Sequence, residues 1–219
     1  MPVDELIEIP ETIEEITPED VERDPSLLGD EGKAQEGVLD DTVDFEAREL
    51  EATEDVLSVD DDGEAGGAGP GISAHQQRAL TLALSQKGMR EHPQGSNDNM
   101  YSRYFGFGPQ FWCADFVAFC VDKTGNRDHK VPWGYPSAVK NITAWGQRNN
   151  RIHSMPQKGD IFTRKDGMHT GFVTSAQGSS FVTIEGNTSG PGGDFYVASH
   201  TRDASSGLYF FVRDDLRDG

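Results

Sequence analysis

The sequence predicts an α+β domain over residues 71–219, preceded by a mostly irregular acidic arm over residues 1–70. Three observations lead there. Charge is divided unevenly: residues 1–70 hold 25 of the 38 acidic residues and 3 of the 19 basic ones, which puts the arm at −22 and the remainder at +3. Core-forming residues are divided the opposite way, with all three tryptophans and eleven of the twelve phenylalanines beyond residue 71. Within that second part the apolar period changes near Asp160, from helical spacing to alternation. Helices followed by an antiparallel sheet make an α+β fold.

The arm cannot build a core. Phe45 is its one aromatic residue, and its carboxylates repel one another. Thr17-Pro18-Glu19-Asp20 has the form of a helix start, and residues 43–57 could make a second acidic helix. Either would be marginal alone. Leu6, Ile7, Ile9, Ile13 and Ile16 are scattered apolar anchors of the kind a partner can grip. Residues 63–71, rich in glycine, read as a flexible linker.

The domain begins at Ser73, which can cap a helix running to about Gln86, with Leu80, Leu82 and Leu84 on or near its buried face and Gly88 beyond its end. Glu91 to Asn99 is polar and turn-rich, hence a loop. Gly106, Gly108 and Pro109 turn the chain into Phe111–Cys120, which reads as a buried helix ending near Gly125. Ser137 to Gly146 is a short helix. Strands follow at 161–163, 168–174, 181–186, 196–202 and 208–213, giving a sheet of about five to six strands. Lys165-Asp166-Gly167 supplies a tight turn between the first two.

Several classes of function fall away. An arm at −22 would repel a phosphate backbone, and the chain shows neither a basic aromatic patch nor a phosphate-cradling loop, so no nucleic acid partner is expected. No apolar run reaches membrane-spanning length, so no membrane insertion is expected, and the N-terminus reads as carrying no secretory signal. Cys113 and Cys120 sit about 10 Å apart along a helix axis, too far for a disulfide. A single Cys-x6-Cys pair does not offer a zinc site, and Asn97-Asp98-Asn99 lacks the carboxylates of a calcium loop.

Cys113 stands at the mouth of its helix. The unpaired N–H groups and the positive end of the helix dipole favour a thiolate there, which makes a nucleophile. The alternative is a small, inert core residue. A nucleophilic thiol needs a base, and the base needs an orienting group. Of the six histidines, His75, His92, His129, His153 and His200 read as surface or local hydrogen-bonding residues. His169 differs: it lies on a core strand straight after a tight turn, with Gly171 leaving space on the same face. Glu185 ends an apolar strand, where a carboxylate is costly unless paired, and an imidazole would pair it. Asn187 lies two residues on and shares its face if the strand persists.

Four pieces in order resemble the CHAP domains, the cysteine, histidine-dependent amidohydrolases/peptidases that form a papain-like branch of cell-wall hydrolases. They are Glu91-x-Pro93-x-Gly95-Ser96-Asn97; Trp112-Cys113-Ala114-Asp115-Phe116-Val117; Gly159-Asp160-Ile161 leading to His169-x-Gly171-Phe172-Val173; and Ile184-Glu185-Gly186-Asn187-Thr188. The resemblance spans about residues 73–213. It implies a papain-like fold, with Cys113 as nucleophile, His169 as base, Glu185 orienting His169, and Asn187 completing the site. The Cys113 N–H would help form an oxyanion hole. Many relatives carry glutamine before the cysteine as a further donor; here that position is Trp112. The calcium-binding pattern of some relatives is missing, so neither metal nor cofactor is expected.

The resemblance implies a peptidoglycan hydrolase that cuts an amide bond. Phage-type delivery is expected, as a virion component near the tail tip whose acidic arm contacts phage structural proteins. The alternative setting is the host cytoplasm before holin-dependent release. The alternative function is a structural virion protein with a catalytically silent fold.

Overall fold

The computed structural model describes residues 72–125, 129–189 and 195–213. The acidic arm, its two expected helices and the linker lie outside the described residues. Four helices come first: α1 (Ala74–Ser85), α2 (Met100–Tyr104), α3 (Cys113–Gly125) and α4 (Val139–Arg148). Six strands follow: β1 (Ile152–His153), β2 (Ile161–Arg164), β3 (Thr170–Gln177), β4 (Ser180–Ser189), β5 (Phe195–Asp203) and β6 (Tyr209–Val212). They make one antiparallel sheet in the order β1-β6-β2-β3-β4-β5. This is the α+β fold expected, consistent with a papain-like CHAP architecture.

Local chemistry explains the starts of α1 and α2. Ser73 accepts a hydrogen bond from the Gln76 N–H while Gln76 Oε1 accepts from the Ser73 N–H, a reciprocal capping box that starts α1. Asn99 caps α2 by accepting from the Ser102 N–H. That five-residue helix is too short for any periodic signal, and the sequence reading passed over it. Leu84 corrects another expectation: it is 44% exposed, because the buried stripe of α1 runs through Ala79, Leu80, Leu82 and Ala83.

The helix α3 is the centre of the core. Phe116, Val117, Ala118, Phe119, Cys120 and Val121 are all buried and pack among α1, β3 and β4. His75, expected near the surface, is buried and bonds the Val121 carbonyl through Nε2 at 2.9 Å, which ties α1 to α3. A smaller apolar cluster of Phe162, Val173, Phe181 and Phe211 also involves the sheet. Burial pushes the Cys120 thiol well up, so it stays protonated and serves as packing.

Two motifs of the sequence turn out to be structural. Asp160, with no exposed surface, receives a fork from Arg213, whose Nε and Nη2 each donate at 2.9 Å, and also accepts the Gln157 N–H at 2.7 Å. It pins the turn before β2 to the chain just beyond β6. Glu91 accepts the N–H groups of Gly95 at 2.5 Å and Asn97 at 3.0 Å, and the Trp112 indole N–H at 3.4 Å. A buried carboxylate thus fastens the 91–99 loop to the residue preceding Cys113.

Candidate active site

Each site residue is placed by a different element. Cys113 is the first residue of α3 and is 6% exposed. In the first turn of any helix the N–H groups lack an intrahelical acceptor, so donors gather around this sulfur. His169 sits in the turn between β2 and β3, and its carbonyl accepts the Arg164 N–H at 2.9 Å, which extends the ladder to the histidine itself. Glu185 and Asn187 lie on β4.

Three of these line one cleft. Cys113, His169 and Asn187 share its wall with Phe111, Arg164, Phe195 and Arg202 among others. Glu185 sits behind His169 with no exposed surface. His169 Nε2 meets Glu185 Oε2 at 2.7 Å, which leaves Nδ1 for the Cys113 thiol, with which the imidazole also hydrogen-bonds. The thiol, imidazole and carboxylate are therefore in sequence, as a nucleophile–base–orienter set requires.

The electrostatics follow from that order. Burial would pull His169 down, but its hydrogen bonds to Cys113 and Glu185 and their charges outweigh this and raise it to about 9. Burial would push Glu185 up, but hydrogen bonds and charges from His169 and Arg202 lower it to about 2. The imidazole is thus cationic and the carboxylate anionic at neutral pH.

Close backbone approach makes the site compact. A Cβ on Gly171 would lie 2.7 Å from the Ile184 carbonyl oxygen and 2.8 Å from Glu185 Cγ. The glycine therefore does leave room, and it is Glu185 that occupies it. A Cβ on Gly186 would lie 2.5 Å from Phe116 Cβ and 2.9 Å from Trp112 Cζ3, so β4 rests directly on the first turn of α3. Gly171→Ala is expected to displace Glu185 from His169 and lower kcat about 10²-fold, since misplacement by about 1 Å costs that much. Steady-state kinetics of amide hydrolysis check it.

Two readings need refinement. Strand alternation alone does not carry Asn187 to the site. The β4–β5 register shifts between Glu185 and Thr188, and Asn187 takes a left-handed backbone with φ of 49°. Its Oδ1 is buried in the cleft wall without a hydrogen-bond partner among the described residues. The side chain of Trp112 does not face the cleft. It is fully buried, stacked on Tyr101 at 5.3 Å, with its N–H turned to Glu91.

Nor is Gln110, three residues before the cysteine, free to serve. Its Nε2 donates to Asp115 Oδ2 at 2.8 Å and Ser137 Oγ at 2.5 Å. Burial pushes Asp115 up to about 6 against the hydrogen bonds from Ser102 and Gln110, which lower it.

Sequence reasoning missed Arg202 and Thr183. Arg202 lines the cleft and forks onto Glu185, and the Thr183 hydroxyl donates to the same carboxylate. The signal available was the cost of burying Glu185, which calls for more partners than one imidazole.

Residues 103–187 match the family model of the CHAP domain. The chain carries a CHAP domain. The matched residues run from α2 to β4 and include Cys113, His169, Glu185 and Asn187. A CHAP domain implies, in general terms, a hydrolase of the peptidoglycan amidase or peptidase kind. Neither the curated proteins nor the solved structures give a significant match. Among the described residues no helix of the CHAP domain or its flanks is long and apolar enough to cross a membrane.

Proposed function

We propose that this CHAP domain hydrolyses an amide bond of bacterial peptidoglycan, as an N-acetylmuramoyl-L-alanine amidase or a peptidoglycan endopeptidase. One observation carries the reading: Cys113, His169 and Asn187 line one cleft, with Glu185 closed behind the imidazole. Cys113 Sγ attacks the carbonyl carbon of the amide. The oxyanion that forms lies by the first-turn N–H groups of α3, in the cleft that Asn187 also lines. The C–N bond breaks as His169 gives its proton to the leaving amine. His169 then takes a proton from water, the hydroxide attacks the thioester, and the acid leaves with the thiolate restored. Glu185 holds His169 in the orientation and charge state that both steps use.

The acidic arm supports the wider setting of this reading. A segment at −22 with spaced apolar residues suits contact with neighbouring structural proteins. In this proposal the protein is part of a phage virion, at the tail or tail tip. Mass spectrometry of purified virions tests that setting, and its absence from them would move the protein to the free lysins.

Activity depends on pH with a definite sign. His169 must carry a proton to release the amine, and its pKa stands raised at about 9. Hydrolysis is therefore expected to hold through neutral pH and fall as pH rises through about 9. The stability that His169 adds runs the same way: it is fully present below the unfolded value near 6.5 and is lost as pH climbs through about 9. Turbidity loss of purified walls across pH 5 to 10 reads the profile, and a basic limb near pH 6.5 would remove the ion pair from the mechanism.

A further inference from the structure

Glu185 has two cationic partners, and the imidazole is only one of them. Arg202, on β5, presents a fork: Nε–H donates to Oε1 at 2.6 Å and Nη2–H to Oε2 at 2.5 Å. His169 shares Oε2, and Thr183 donates to Oε1. A carboxylate has about four lone-pair sites, and these contacts fill them. Arg202 is itself held. Its guanidinium stands over the Phe162 ring at 5.4 Å, and Nη1 reaches the Tyr209 hydroxyl at 3.5 Å.

Other charged groups stand near. Cys113 faces His169 from α3, Arg164 from β2 lines the same cleft, and His200 on β5 turns instead to Thr188. Of these, Arg202 alone makes a two-point contact with the carboxylate. A fully buried carboxylate with one imidazole partner has an alternative, since a proton can pass to it and leave both groups neutral. A second, permanent cation disfavours that state. A fork also fixes the carboxylate plane, and through it the ring of His169.

We propose that Arg202 is a positioning residue of the thiol site, acting through Glu185 to keep the carboxylate ionised and in one orientation, and hence His169 paired with Cys113. This rests on Cys113 being the reactive thiol of the proposed function, and not on which wall bond is cut.

The test is alkylation of Cys113 by iodoacetamide as a function of pH, followed on the modified peptide by mass spectrometry, with buried Cys120 as the internal control. It needs no wall substrate, so failure here is distinct from failure to hydrolyse peptidoglycan. In Arg202→Gln the acid limb of the alkylation profile is expected to move up by about one pH unit or more, because the buried carboxylate takes its proton earlier. Below the limb that means a rate about tenfold lower. Arg202→Lys keeps the charge and is expected to stay within about half a unit. On a Glu185→Gln background Arg202→Gln should change the rate less than about twofold, because the group it acts through is gone. This neutral pair keeps the comparison available if Arg202→Gln alone fails to fold. Superimposable profiles for wild type and Arg202→Gln, or an equal effect of Arg202→Gln in both backgrounds, overturn the proposal.

Discussion

Cys113→Ala is expected to fold as the wild type does and to lose wall hydrolysis by about 10³-fold or more. The reasoning is local. Cys113 begins α3, and its side chain looks into the cleft rather than into the main core below. Truncation to alanine removes one sulfur from a cleft wall and leaves the Phe116–Val121 core untouched. Melting temperature should move by only a few degrees, since a small change at a partly solvated wall costs about 1 kcal/mol or less. Cys120→Ala is the matched control and should do the reverse. It keeps hydrolysis but opens a void among Phe119, Val121 and their neighbours, which lowers stability by about 1–2 kcal/mol. Turbidity loss and a thermal melt on both variants read the contrast.

Glu185→Gln is expected to be costly in both respects. The amide keeps the shape of the carboxylate but not its charge. Arg202, half-buried, then has a fork with no anion, and His169 loses the group that keeps it cationic. Removing one member of a buried ion pair costs about 3–5 kcal/mol. For a domain of this size that is a fall of about 10 °C or more in melting temperature. Hydrolysis should fall about 10²-fold or more, because the imidazole is no longer held in the orientation and charge state that both steps use.

The pH dependence gives this prediction a sign. Glu185 stands lowered from its ordinary 4.5 to about 2. A depressed carboxyl contributes stability above its unfolded value and loses it as pH falls toward the folded one. The gap in melting temperature between wild type and Glu185→Gln should therefore be full above about pH 4.5 and close as pH drops through about 2. A gap that does not change with pH would show that charge pairing is not what the substitution removes.

How legible this site was depends on the kind of signal each residue leaves. Cys113 announced itself because glycine and proline turn the chain into an apolar helix at that point, and His169 because a tight turn and Gly171 frame it. Glu185 was visible as an expensive carboxylate on an apolar strand, although β4 runs on past it to Ser189. Asn187 does line the cleft, but a bulge and a left-handed backbone bring it there rather than simple alternation. Arg202 left no local trace. It reaches Glu185 only because β4 and β5 pair in a particular register, with Phe181 opposite Arg202 and Thr183 opposite His200. Register is a property of two strands together, and neither strand states it alone.

The same distinction runs through the fold. The change of period near Asp160 divided the helices from all strands but the two-residue β1, because burial of one face imposes it on the sequence. The short helix α2 was silent, since five residues cannot display a helical period. Trp112 stands where relatives often keep glutamine, yet its side chain belongs to the core and to Glu91. Glu91 and Asp160, prominent in the ordered motifs, hold loops in place. They stand out in the sequence because buried carboxylates must be fully satisfied, and not because they react.

The measurement that bears most directly on the central claim is mass spectrometry of the material released from purified peptidoglycan by wild type and by Cys113→Ala in parallel. The account predicts that wild type releases fragments with new amino or carboxyl ends at amide positions, with the glycosidic bonds intact, and that the variant releases none above background. New reducing sugar ends, or the same fragments from both proteins, would contradict it.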